Sequence, residues 1–201
     1  MRISVTDLDQ YLYWKSAEAM PVEDLLRRLR REEPPSEAML AGIALHNALE
    51  HATCGEFAEL SADGYVFVFP ENAEIALPVV RELKAEKVYM VGGVAVTVVG
   101  KVDTLQGKSV EDHKTTSQFD AEKYMGTFQW RYYLDIFNAD HFRWNVFVLS
   151  NVDEKVYEVR AVHPLNQYRY PGMADDCMEL LREFVDFARV NLPERFMAQA
   201  A

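Results

Sequence analysis

The sequence predicts a mixed α/β (α+β) fold, with a central mixed β-sheet flanked by helices. Three observations carry that expectation. Runs rich in β-branched and aromatic residues alternate with turn signals between residues 64 and 162, as strands lying side by side require. Amphipathic stretches, with apolar positions three and four apart, occupy both ends of the chain and interrupt the strand-rich part once. With 201 residues, 49% of them hydrophobic, the chain can bury a substantial core. The expected organisation is one domain over 1–201. It has a helical part over 1–60, a sheet core with an inserted helix over 64–162, and a closing helix over 172–191.

Residues 3–14 predict the first helix. Ser4 or Thr6 can cap it, acids follow in its first turn, and Leu8, Tyr11 and Leu12 form an apolar stripe. A second helix is expected over 21–31, begun by Pro21, with Leu25, Leu26 and Leu29 inward. Its Arg27, Arg28, Arg30 and Arg31 form the most basic patch in the chain. Glu32 and Glu33 follow at once, which favours a solvated charged face over a phosphate contact. Pro34-Pro35 breaks the chain, and Ser36 caps a long helix expected to reach about residue 57. Gly42, His46, Leu49 or Glu50, and Thr53 share one face of it. A glycine one turn before a histidine lets another backbone approach closely. His46 offers a neutral ring nitrogen to a metal, with Glu50 one turn on as a second ligand or an orienting partner. A plain helix-surface His–Glu pair is the simpler reading of those two residues alone.

A strand over 65–69 ends at Pro70, and a polar connection, open to a helical reading, runs through Lys84. Runs 87–91 and 94–99 then pair around Gly92-Gly93. The next hairpin, residues 100–116, turns at Gln106-Gly107-Lys108. Asp103 lies on its first run, and Asp112 and Lys114 lie on its second. Side chains alternate along a strand, so Asp112 and Lys114 point the same way, and Asp103 can lie beside them if the runs pair. Two carboxylates and an ammonium at the end of a buried hairpin are costly to place. A divalent cation offsets that cost, since Mg²⁺ takes hard oxygen ligands, keeps waters and bridges carboxylates to phosphate. The competing reading at this stretch is a surface hairpin with solvated charges. Thr115, Thr116 and Ser117 are expected to form a loop that caps a helix over 120–138. Gln129 and Tyr133 share a face of that helix, and glutamine is polar where packing alone does not ask for it. A strand pair at 143–150 and 155–162 and a loop containing Pro164 and Pro171-Gly172 lead to the closing helix. Leu180, Leu181, Phe184, Phe187 and Ala188 face inward on it.

Composition excludes some chemistry. Cys54 and Cys177 are the only cysteines, so this chain alone cannot make a four-cysteine zinc or iron–sulfur site. A net charge of −11 counts against a protein that coats nucleic acid nonspecifically, because that needs a basic face. It does not count against an enzyme with a local positive groove supplemented by bound cations. No apolar run approaches the ~20 residues of a spanning helix, and the opening residues lack a signal-peptide core. The expected compartment is the cytoplasm, bacterial or of a phage-infected host.

Asp103 followed by Asp112-His113-Lys114 on the next strand resembles the PD-(D/E)XK nuclease pattern. His46 upstream and Gln129-Trp130-Arg131-Tyr132-Tyr133 on the following helix are similar to the RecB-type branch, which carries a Q-hydrophobic-x-x-Y motif there. The opening Ile3-Ser4-Val5-Thr6-Asp7-Leu8-Asp9-Gln10-Tyr11 is also similar to that branch. The ordered motifs span about residues 3–150. Two features depart from many members: no four cysteines are present, and Trp14-Lys15 stands where a Cys-Pro often does. The chain thus looks like the phage-type exonucleases without an iron–sulfur cluster. The resemblance implies a restriction-endonuclease-like core and a Mg²⁺- or Mn²⁺-dependent deoxyribonuclease, expected to be an exonuclease, acting in DNA recombination, repair or phage DNA processing. It implies that His46, Asp103, Asp112 and the main-chain carbonyl of His113 hold one or two metal ions, with Glu50 a further candidate. Lys114 would hold or activate the attacking water, and Gln129 and Tyr133 would position DNA or Lys114. DNA is the implied partner, with a recombinase, single-strand-binding protein or helicase alongside, no membrane, and a homo-oligomer as a further expectation. Two other classes compete. One is a catalytically silent nuclease-fold module that binds DNA or protein. The other is an acidic protein that mimics DNA.

Overall fold

The computed structural model describes residues 1–17, 19–71, 73 and 75–197. Strand β1 (Arg2–Ser4) runs directly into helix α1 (Val5–Ser16). Ser4 makes the switch. Its hydroxyl accepts the Asp7 N–H at 3.1 Å, and the Asp7 carboxylate accepts the Ser4 N–H at 3.0 Å, a closed capping box. Helix α2 (Val22–Arg30) follows, and its arginines face solvent in ion pairs: Arg27 with Asp24 and Glu33, Arg30 with Glu194. Helix α3 (Glu37–His51), capped by Ser36, stops six residues short of the expected end. The Arg81 guanidinium terminates it by donating to the carbonyls of Leu49, Glu50 and Ala52, which the helix leaves unpaired. Thr53 therefore lies off the helix.

Strands β2 (Glu59–Ala62) and β3 (Tyr65–Val68) form a hairpin. No helix occurs among the described residues of the next connection. Strand β4 (Val80–Val91) begins seven residues earlier than expected and pairs with β5 (Val94–Gln106) along its length. Gly92 and Gly93 turn this hairpin with φ of 52° and 79°, the left-handed pair that a tight hairpin needs. Strand β6 (Ser109–Thr116) includes Thr115 and Thr116, which were expected in a loop. The helix after it is two helices, α4 (Ala121–Met125) and α5 (Gln129–Ile136), broken at Gly126–Phe128. Asp120, and not a hydroxyl residue, caps α4. Strands β7 (His141–Asp153) and β8 (Val156–Tyr168) are longer than expected, and Pro164 lies inside β8 opposite Asn145. Strand β3 pairs with β8 only at 156–158, so Pro164 faces a free edge, where its missing N–H is tolerated. Helices α6 (Met173–Asn191) and α7 (Glu194–Met197) complete the described chain. None of its helices is long and apolar enough to cross a membrane.

The sheet order is β1-β5-β6-β7-β8-β3-β2, with β4 on the other edge of β5. Pairs β1/β5, β6/β7 and β3/β8 are parallel and the others antiparallel, so the sheet is mixed, as expected. Helices flank it over two apolar cores. Leu8, Tyr132, Trp144 and Phe184 belong to the larger one, under α1, α5 and α6. Leu45, Leu49, Phe67 and Phe147 belong to the second, under α3. Fully burying a Leu or Phe side chain contributes roughly 1.5–3 kcal/mol. Leu45 and Leu49 thus hold α3 on the sheet although Met39 and Ile43 on its other side stay exposed.

One irregularity positions the site. Strand β5 pairs with β1 only at 97–99 and with β6 only at 104–106, on the same edge. Strand β6 follows β7 for all eight of its residues instead. The two strands of the hairpin therefore diverge, and a fork opens at Asp103.

Candidate metal centre

Asp103 is the first β5 residue beyond the paired stretch. Its Oδ2 accepts the main-chain N–H of His113, a donor that divergence leaves without a strand partner. Its Oδ1 lies 2.9 Å from His46 Nδ1. Gly42 brings that histidine within reach. A Cβ at Gly42 would sit 2.8 Å from Thr115 Oγ1, so only glycine lets α3 lie this close to β6. The close approach expected at Gly42 is thus to a side chain and not to a backbone.

The third member of this cluster was not expected. Glu82 adopts a left-handed backbone (φ 53°) between Arg81, which pairs with Thr104, and Leu83, which pairs with Val102. Donor atoms of His46, Glu82 and Asp103 all lie within 4.8 Å of one another. Lys101 forms an ion pair with Glu82. Glu50, the expected helper, is exposed and outside this group, whose second carboxylate is Glu82. Val80 and Leu83, three residues apart, read locally like a helix, and only pairing with β5 makes the stretch a strand. The sequence signal for Glu82 was weak for that reason.

Asp112 and Lys114 do share a face of β6, as period two requires, and they form an ion pair. The other Asp112 oxygen accepts from Gln129 Nε2 at 2.8 Å, and the same amide donates to the Tyr133 hydroxyl at 2.9 Å. The Tyr133 ring lies flat against β5 because residue 100 is glycine: a Cβ there would be 3.1 Å from two ring carbons. Helix α5 is set in register by Asp9, whose Oδ1 accepts the Phe128 N–H (2.8 Å) and the Gln129 N–H (3.1 Å). Sequence reading missed Asp9 as a site-supporting residue. The Lys114 ammonium also lies 5.1 Å from the centre of the Trp144 ring.

The charges of the two groups feel one another. Burial pushes the Asp112 carboxyl up to about 6; Lys114 opposes that and the Asp103 charge adds to it. Burial also acts on Asp103, but the hydrogen bond and charge of His46 hold its carboxyl well below the usual carboxylate range. His46 itself is raised, because Asp103 outweighs the effect of its burial. Burial lowers Lys114, yet Asp112 and Asp103 together hold it above its ordinary value, so it is cationic. Burial raises Glu82, with Lys101 opposing. His113 is pushed down to about 4 by burial and is neutral, its ring packed at 5.6 Å against Phe147.

A nitrogen donor and two carboxylate oxygens in one group, with a further buried carboxylate close enough to be perturbed, fit a divalent cation that accepts oxygen ligands. Bound there, the cation would offset the burial, and the added Asp103 charge, that push Asp112 up. The structure therefore brings His46 and Asp103 together, and joins Asp112, Lys114, Gln129 and Tyr133 in an adjoining network.

No family model matches the chain, and no curated protein does either. Among solved structures, the chain is similar to that of LHK-Exo in complex with dAMP, with 11% identity, a TM-score of 0.48, and coverage of 99% of this chain and 94% of that one. It is also similar to the crystal structure of SSO0001, with 17% identity and a TM-score of 0.55, over 92% of this chain and 76% of that chain. The chain shares the fold of SSO0001.

Proposed function

We propose that this chain is a metal-dependent deoxyribonuclease of the PD-(D/E)XK type, close to the RecB-like and phage exonucleases that lack an iron–sulfur cluster. The observation that carries the reading is the fork. His46, Glu82 and Asp103 converge there on one potential cation position, beside the Asp112–Lys114–Gln129 network. His46, Asp103 and Glu82, with Asp112 alongside, would hold Mg²⁺ or Mn²⁺, which would supply Lewis-acid polarisation of a phosphodiester and a more acidic bound water. The imidazole ligand favours Mn²⁺ over Mg²⁺ as the better-fitting ion. In this reading the His113 carbonyl is a further ligand.

The protein's own groups do the rest. Lys114, cationic and anchored by Asp112, stabilises negative charge developing on the phosphate and holds the attacking water by hydrogen bonding. Gln129 fixes the Asp112 carboxylate through one oxygen while Lys114 pairs with the other, so the carboxylate is held from both sides. Tyr133, packed on Gly100, fixes Gln129 in turn. The substrate in this reading is DNA, cut from an end, in recombination, repair or phage DNA processing. A helicase, recombinase or single-strand-binding protein would deliver it.

The test is digestion of end-labelled linear DNA and closed circular DNA by purified protein with Mg²⁺ or Mn²⁺. Cleavage that stops with chelator, and that is lost in Asp103→Asn and Asp112→Asn, is expected. Linear substrate alone should disappear. Unchanged cleavage in both variants, or none by the parent protein with either metal, contradicts the assignment.

A further inference from the structure

The chain is strongly acidic, yet it has one concave site where cations predominate. A cavity of about 390 Å³ is lined by Arg2, Arg31, Lys84 and Arg195 together with Asp7 and Val99. Local carboxylates do not balance these charges. Asp7 is shared by two guanidinium groups, Arg195 at 3.1 Å and Arg31 at 3.8 Å. Glu86 pairs with Arg2 at 2.6 Å. Four cations thus face two carboxylates, and among the described residues Lys84 makes no ion pair. Arg195 is rigidly placed, since it also donates to the Leu29 carbonyl at the end of α2.

The position of the cavity is as telling as its charge. Val99 and Asp103 are two alternations apart on β5, with Lys101 between them, and these three share a side of the strand over the fork. Lys84 on β4 is the register partner of Lys101, which lines the cavity around His46 and Asp103. The two cavities are therefore neighbours along one strand. Lys84 and Lys101, one from each cavity, stand opposite one another on β4 and β5, while Val99 in the first and Asp103 in the second are about 13 Å apart along β5, four residues at ~3.3 Å each. A nucleic-acid strand lying along β5 would therefore meet the two cavities with different phosphates.

We infer that the Arg2–Arg31–Lys84–Arg195 pocket is a second phosphate subsite, gripping the substrate backbone away from the bond that is cut. This rests on the nuclease reading and deepens it. It explains how a chain of net charge −11 holds a polyanion: a local cationic pocket next to a metal-dependent centre replaces a basic face.

The experiment compares two double variants that each remove two positive charges. Arg31→Ala/Lys84→Ala alters the pocket, and both residues can be truncated without touching the Asp7–Arg195 pair. Lys155→Ala/Arg160→Ala alters the exposed β7–β8 turn and β8, outside both cavities. Binding of a short labelled oligonucleotide, single- and double-stranded, is measured with Ca²⁺ in place of the catalytic metal and over a range of salt. The pocket variant should bind about tenfold more weakly. Its log K against log salt slope should flatten by roughly 0.7 for single strands or 0.9 for duplex per phosphate lost. The turn variant should keep parental affinity and slope. Equal affinities and slopes in the two variants overturn the subsite while leaving cleavage by the parent intact. A parent protein that neither binds nor cuts DNA overturns both this inference and the nuclease reading.

Discussion

Replacing Lys114 with Met leaves the Asp112 carboxylate, which is 3% exposed, without its cation and with only the Gln129 amide bond. Removing one partner of a buried ion pair costs about 3–5 kcal/mol, because the other charge stays behind. A third of the Lys114 side chain is in solvent, and Asp112 keeps one hydrogen bond, so the loss should fall near 2–3 kcal/mol. Methionine keeps a side chain of similar length and removes the ammonium, its contact with the Trp144 ring included, so the change is one of charge. The loss must also depend on pH. The folded Asp112 pKa, already about 6, is above its ordinary value and rises further without Lys114. Stability linked to such a group is fully present below the unfolded pKa and is lost as pH rises through the folded one. At about pH 5 the variant can protonate Asp112 and should lie within about 1 kcal/mol of the parent; at about pH 7.5 the full deficit should appear. Urea denaturation in chelator at both pH values measures this. Mn²⁺ should then restore more stability to the variant than to the parent at the higher pH, while cleavage stays abolished. A variant as stable as the parent at pH 7.5, or with the same deficit at both pH values, refutes the claim that Asp112 is a buried carboxylate held by Lys114.

Further outcomes follow from the same geometry. Glu82→Gln should weaken Mn²⁺ binding by roughly tenfold or more by calorimetry, as loss of a ligand or its support does, whereas Glu50→Gln should leave it unchanged. Gly100→Ala should cost about 1–3 kcal/mol of stability and reduce kcat, because the added methyl pushes the Tyr133 ring away and frees Gln129. Gly42→Ala should force α3 away from Thr115 and lower metal affinity more than overall stability, seen as a smaller Mn²⁺-induced rise in Tm. Burial raises the Asp9 carboxyl to about 6, so its contribution is present below about pH 4 and lost as pH rises through 6. Relative to Asp9→Asn, the parent should therefore gain on the order of 2–3 kcal/mol between about pH 7 and pH 4 in chelator, read from denaturation curves.

Much of the fold and part of the site were legible in the sequence. Strict alternation put Asp112 and Lys114 on one face, and a single helical turn joined Gln129 to Tyr133; both are local geometry. Gly92-Gly93 marked its hairpin because only such residues adopt two consecutive left-handed conformations without strain. The closing helix was clear because its apolar positions are dense and periodic over nineteen residues. What escaped depends on nonlocal partners. Strands β1 and β2, three and four residues long, are too short to show a period. The end of α3 is set by Arg81, thirty residues away, and the start of α5 by Asp9 on the neighbouring helix α1. Glu82 reaches the fork only through a left-handed residue inside a strand, which no residue-type preference announces. Glu50 looked plausible because it stands one turn from His46, but helix spacing says nothing about which way the sheet presents a competing carboxylate.

The proposed chemistry requires a cation at the fork, and anomalous diffraction from crystals soaked in manganese tests for it most directly. A peak within ligating distance of His46 and the carboxylates of Asp103 and Glu82, with Asp112 turned toward it, is the predicted result. A crystal with Mn²⁺ bound elsewhere, or with no peak among these side chains at saturating concentration, contradicts it.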